Sequence, residues 1–144
     1  MIVFFAVALT LVVLVNFSVA LFLLLKLRDS LFIAVPFVST RNRAIKPIIN
    51  ALSLSDKSLL YDLGCGNAEI LKAAVKETAC ARGVGIERGY IPYLISKINT
   101  RNSAINIHLK DIFSVDLSPA SHIYCYLGDE VMQKLSPKIL NECK

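Results

Sequence analysis

Ile2 to Leu25 reads IVFFAVALTLVVLVNFSVALFLLL, an apolar run whose only polar side chains are Thr10, Asn16 and Ser18. A helix needs about 20 such residues to cross the hydrocarbon of a bilayer, and this run supplies that length. It is apolar on every face, which suits lipid better than the core of a small domain. Two of its three polar side chains can return their hydrogen bonds to the helix backbone, and one Asn is tolerable in a bundle or near an interface. A secretory signal would carry an early positive charge, a shorter apolar stretch and a small-residue cleavage site. None of these precedes Lys26, where the run ends, so the pattern predicts a retained anchor. A second apolar run, Leu31 to Val38, is too short to span and contains Pro36. It lies on the interface or covers the domain that follows.

From Ser58 onward the pattern changes to short apolar runs separated by stretches of helical period. SLLYDL (Ser58 to Leu63) is a strand ending in an acid, and AEILKAAVKETA follows with Ile70, Leu71, Ala74 and Val75 at helical spacing. GVGIE (Gly83 to Glu87) is a second strand ending in an acid, followed by a helix over Tyr90 to Asn99. Asn106 to Leu109 and His122 to Leu127 are the third and fourth strands, and Glu130 to Leu140 is a further helix. The alternation predicts an α/β fold of Rossmann-like type, a parallel sheet of about four strands with helices on both faces, preceded by one transmembrane helix.

Charge sharpens the picture at one place. The chain of 144 residues has a formal net charge of +5. Lys26, Arg28, Arg41, Arg43, Lys46 and Lys57 follow the apolar run, opposed there only by Asp29 and Asp56. Such a cluster suits an anionic membrane surface and, by the positive-inside rule, places the carboxy-terminal side in the cytoplasm. No basic run carries interleaved aromatics, so a nucleic-acid partner is disfavoured. Cys65, Cys80, Cys125 and Cys143 have no CxxC pairing and no metal-ligand spacing, as expected of scattered reduced thiols in a cytosol-facing domain with no metal site.

The candidate chemistry gathers at the strand ends. Gly64 and Gly66 let the loop after the first strand turn sharply and approach a ligand, and the next helix offers free N–H groups. Asp62 stands at the carboxyl end of its strand, where open α/β sheets bind ligands. Glu87 ends the second strand, where a carboxylate can accept two hydrogen bonds from a ribose diol. The dinucleotide fingerprint fails because Glu69 stands at its last position, and its carboxylate would repel a pyrophosphate. A P-loop fails because no G-K-[ST] follows. A nucleoside ligand without phosphate fits better. D-x-G-x-G taken alone is equally an ordinary tight turn, whereas Asp62, the glycine pair, Glu87 and Asp111 at successive strand ends form a less accidental set.

YDLGCGNAEIL together with Glu87 resembles the first two motifs of the class I S-adenosylmethionine-dependent methyltransferases. VPFVST (Val35 to Thr40) and YLGDEVMQKLSPKIL (Tyr126 to Leu140) resemble segments of the membrane-anchored protein lysine methyltransferases that modify the ATP synthase c-subunit and the adenine nucleotide translocase, and of their small prokaryotic relatives. The resemblance implies that Asp62, Gly64 and Gly66 line the methionine moiety of S-adenosylmethionine and that Glu87 binds both ribose hydroxyls. It implies that Asp111, beside Ile112, approaches the adenine amino group, or else caps the short helix after it. Thr40, with Pro36 and Phe37, would close over the cofactor's amino-acid end, or Thr40 is an N-cap for the helix before Pro47. Tyr126 and the turn Leu127-Gly128-Asp129 would face the acceptor, with Asp129 the nearest candidate for a general base; the alternative for Tyr126 is core packing. Cys65 is expected to be small filler, because methyl transfer needs no enzyme nucleophile.

Two departures from the family pattern stand out. Asn67-Ala68 stand where the family's loop usually has an acidic or polar residue and a third glycine, and the Cβ of Ala disfavours φ > 0 there. The family's seven strands are reduced to four, so the carboxy-terminal strands are expected to be missing. The expected organisation is an anchor over 1–25, a basic juxtamembrane linker with a helix before the motif over 26–57, and an incomplete cofactor-binding domain over 58–144. The expected function is a single-pass membrane methyltransferase facing the cytoplasm, with S-adenosylmethionine as cofactor, the bilayer and a protein lysine acceptor as partners. The alternative is an inactive or truncated cofactor-binding fragment that serves as a membrane-tethered interaction module.

Overall fold

The apolar run forms α1 (Ile2–Phe32). In the computed structural model, which describes residues 1–32, 42–78, 80 and 82–143, the helix continues past Leu25 by about two turns. Val3–Leu27 has the length and mean hydropathy, 2.7, of a membrane span, and none of it is buried. All three polar side chains are absorbed locally. Thr10 Oγ1, Asn16 Nδ2 and Ser18 Oγ donate to the carbonyls of Ala6, Val12 and Leu14 at 2.9, 2.8 and 2.8 Å. Asn16 thus returns one amide donor to the backbone a turn back, as a hydroxyl would.

The chain divides into two units, Met1–Phe32 and Ile33–Lys144. The second unit contains α2 (Asn42–Leu52), β1 (Leu59–Leu63), α3 (Glu69–Glu77), β2 (Arg82–Glu87), α4 (Tyr90–Asn99), β3 (Ile105–Leu109), a 3₁₀ turn (Ile112–Ser114), β4 (His122–Cys125) and α5 (Asp129–Glu142). The four strands form one parallel sheet in the order β3-β2-β1-β4. β2 and β3 add outward on one side of β1, and β4 returns to its other side. The switch in direction opens a crevice at the carboxyl ends of β1 and β4.

Each face of the sheet has its own core. On one, Ile70, Leu71 and Ala74 of α3 pack with Leu60, Ile105 and Ile107, joined by Ile45, Ile48 and Ile49 of α2 and Tyr93 of α4. On the other, Leu135 and Met132 of α5 pack with Tyr61, Leu63, Ile86 and Leu117. β1 supplies alternate residues to the two layers, as a strand covered on both faces must. Gly85 of β2 lets the first layer close. A Cβ there would stand 2.6 Å from Ile107 Cδ1, 2.7 Å from Cys65 Sγ and 3.0 Å from Leu71 Cδ1.

Candidate active site

The loop from β1 to α3 is built on left-handed backbone. Gly64 and Gly66 have φ of +82° and +53°, and Ala68, at the amino-terminal cap of α3, has φ of +62°. Ala68 thus occupies the conformation that its Cβ disfavours, and local hydrogen bonds hold it there. Its N–H donates to the Cys65 carbonyl at 2.8 Å, and its own carbonyl accepts from Lys72 N–H at 2.9 Å. The preceding turn is pinned to β2, because Gly64 and Cys65 N–H both donate to the Ile86 carbonyl, at 2.8 and 3.1 Å.

Glu87 is the organising side chain. It ends β2 and is 8% exposed. Its Oε2 accepts from Gly66 N–H at 2.8 Å and its Oε1 from Gly89 N–H at 2.7 Å. The carboxylate therefore ties the β1–α3 loop to the start of α4. A carboxylate offers about four acceptor positions, so the two amides leave capacity for hydroxyl donors. The sequence marks Glu87 as a ligand residue but gives no sign of this clamp, and Gly89 was not among the expected site residues. The only signal for Gly89 is a glycine two residues after the strand-ending acid.

Asp62 is 3% exposed and stands in register with Gly85 of β2 and Tyr124 of β4. Burial, reinforced by the nearby Glu87 charge, pushes its pKa up to about 8. Cys65 is buried beside Gly85. Burial first, then Asp62 and Glu87, push its thiol far above the ordinary range, which makes a thiolate nucleophile unavailable at neutral pH. All four cysteines are free.

Asp111 performs the capping role. Its Oδ1 accepts from Phe113 N–H at 3.0 Å, and its Oδ2 lies 3.7 Å from Arg88 Nη1. Arg88 is a partner that nothing in the sequence singles out. Tyr126 is 65% exposed and lies beyond the end of β4, which stops at Cys125 rather than at Leu127, so core packing does not account for it. Leu127 bends over the first loop, and its Cδ2 lies 2.8 Å from where a Cβ on Gly64 would stand. Asp129 is exposed in the first turn of α5, where a carboxylate favours the helix dipole. The structure therefore brings Asp62, Gly64, Gly66 and Glu87 together at the ends of β1 and β2, with Leu127 reaching Gly64 across the crevice. Asp111 sits one strand farther out. Thr40, Pro36 and Phe37 lie outside the described residues, and among the described residues no cluster of His, Cys, Asp and Glu could hold a metal ion.

The family described as the ANTKMT methyltransferase domain matches residues 62–144. A protein-lysine N-methyltransferase from Saccharolobus islandicus (strain REY15A) is 27% identical over 121 residues, covering 76% of this chain and 71% of the relative. Among solved structures, an RNA methyltransferase from Salinibacter ruber in complex with S-adenosyl-L-homocysteine is similar with a TM-score of 0.70 and 26% identity, over 74% of this chain and 72% of that one. A dimethyladenosine transferase from Plasmodium falciparum shares the fold, with a TM-score of 0.63 at 9% identity, over 73% of this chain and 38% of that one.

Proposed function

The chain belongs to the ANTKMT methyltransferase domain family, and from that premise we propose that it is a membrane-anchored enzyme carrying a methyl group from S-adenosylmethionine to a protein lysine. The observation that carries the cofactor reading is the Glu87 clamp. One buried carboxylate ties the glycine loop at Gly66 to the start of α4 at Gly89 and keeps acceptor capacity for a ribose diol at the strand end. Gly64 and Gly66 supply the turn beside which the methionine moiety would lie. Asp62, held largely protonated at neutral pH by burial, ionises when positive charge is placed against it, because an opposite charge favours the anion. Asp111 meets the adenine only by sharing its carboxylate with Arg88 and the Phe113 amide.

When bound, the cofactor supplies an electrophilic methyl group on a cationic sulfur. The chain's own task is alignment of a neutral acceptor, and proximity of that kind lowers a barrier by several kcal/mol. Tyr126 and Asp129 follow β4 and are exposed, and in this reading they face the acceptor, with Asp129 the candidate base for the proton that a lysine ε-ammonium must lose. A lysine acceptor is supported by the S. islandicus relative. The similar RNA methyltransferase and the protein-lysine relative name different acceptors, so the fold by itself leaves the acceptor open. Anchoring is supported by α1, whose apolar stretch Val3–Leu27 has the length and hydropathy of a membrane span and no buried residue.

The test is titration of the detergent-solubilised chain with S-adenosylhomocysteine, followed by a methylation assay on membrane proteins read by mass spectrometry. Glu87→Ala weakens binding by about 1–3 kcal/mol, the loss of charge-assisted hydrogen bonds, or about tenfold to a hundredfold. Lys76→Ala, on the outer face of α3, changes little. Unchanged affinity in Glu87→Ala refutes the ribose site, and methyl label found on RNA or lipid but not on lysine refutes the acceptor.

A further inference from the structure

α4 turns an unusual face to solvent. Its buried side is made in part by small polar side chains. Ser96 is fully buried with its hydroxyl donating to the Tyr93 carbonyl, and Thr100, just past the helix, is buried with its hydroxyl donating to the Ser96 carbonyl. Large aliphatic side chains lie outside instead, with Leu94, Ile95 and Ile98 exposed by 42%, 40% and 74%. Positions three and four apart share a helix face, so these three form one stripe. Lys97 and Arg101, both exposed, border it. From Arg88 to Lys110 the chain has four basic residues and no Asp or Glu. An apolar stripe with cations along one edge, the neutral Asn99 on the other and no acid in this stretch of chain is left without the burial that its aliphatic groups favour.

We infer that this face of α4 rests on an anionic bilayer surface, with Leu94, Ile95 and Ile98 entering the headgroup boundary and Lys97 and Arg101 meeting acidic lipid headgroups. The inference rests on the anchor reading, which brings a bilayer within reach of the chain. Interfacial helices bind in this way, by apolar area on one stripe and basic residues beside it. Charge complementarity selects an anionic surface over a zwitterionic one. The aliphatic character of the stripe argues against RNA, whose unpaired bases stack on aromatic side chains. The contact would hold the domain against the membrane independently of the linker after α1.

The chain contains no tryptophan, so Ile98→Trp installs a single reporter at the most exposed position of the stripe. Leu140→Trp is its control, because Leu140 is 80% exposed on α5, in the helix layer on the opposite face of the sheet. Each full-length variant is reconstituted into phosphatidylcholine vesicles with or without phosphatidylserine, and flotation, indole emission and quenching by brominated lipid are recorded. The Ile98→Trp indole should shift to the blue and be quenched only with phosphatidylserine, with loss of the effect in high salt and in Lys97→Gln/Arg101→Gln, while the Leu140→Trp indole stays unchanged. Vesicles that float the chain yet leave the Ile98→Trp indole unquenched overturn the inference and leave the anchor standing. Flotation confined to phosphatidylserine vesicles, with quenching, refutes the anchor and upholds the surface. A chain that floats with neither vesicle overturns both. An indole that responds to added RNA and not to phosphatidylserine reassigns the face to nucleic acid and overturns the inference.

Discussion

Replacing Asp62 by Asn should stabilise the folded domain more at neutral pH than at mildly acidic pH. In the folded chain Asp62 holds its proton up to a pKa of about 8, whereas an unfolded aspartate titrates near 3.8. Between those values the folded state retains a proton that the unfolded state has released. Stability therefore falls as pH rises, by up to about 1.4 kcal/mol per pH unit from this one group. From pH 5 to pH 7 the loss is about 3 kcal/mol. Asn has nearly the same shape and no charge, so that slope disappears in Asp62→Asn. Other titrating groups are common to both chains and cancel in the difference. For a domain of this size about 3 kcal/mol corresponds to a melting shift of about 10–20 °C. The four cysteines all lie between residues 65 and 143, and Cys65 and Cys80 are buried. A thiol-reactive dye in a detergent melt therefore reports on this unit and not on α1. The gap between the two melting temperatures should widen from pH 5 to pH 7. A constant gap would mean that Asp62 is not protonated in the folded chain, and the reasoning would fail. The same substitution should weaken S-adenosylmethionine binding, since Asn cannot become an anion for the cationic cofactor. That would be an exchange of stability for function.

Gly64→Val should destabilise by about 2–5 kcal/mol, combining left-handed strain at φ +82° with a Cβ 2.8 Å from Leu127 Cδ2; a melt within one degree of wild type would refute this. Ala68→Gly should stay within about 1 kcal/mol of wild type, because relief of about 1–2 kcal/mol of left-handed strain is offset by the lost burial of its methyl group and a freer unfolded chain. A much larger shift in either direction would show that one of those terms is misjudged. Alkaline carbonate should leave the full chain in the membrane pellet, and its release intact would refute the anchor.

The local elements were legible because they depend on neighbours in sequence. The apolar run forms one long helix, as its unbroken hydropathy predicts, and the strand and helix segments could be read from periods of two and 3.6. Asp62, the glycine pair and Glu87 were legible as a set because a parallel sheet places successive strand ends together. Cys65 as filler and the unfavourable turn at Ala68 could also be read from residue type. Of the two readings of Asp111, the structure forms the cap, and the adenine contact belongs to the proposed function.

Tertiary structure decided what depends on distant partners. Only the sheet order put β4 beside β1, which brought Leu127 onto Gly64 and left Tyr126 outside the strand. Only the packed loop showed that Glu87 holds Gly66 and Gly89 by their amides, and that Arg88 reaches Asp111 from the neighbouring strand end. Residue type fixes what a side chain can donate, accept or bury. Which partner it meets across the sheet depends on strand order and register, and so does the burial that keeps a proton on Asp62. Both follow from packing the whole unit at once.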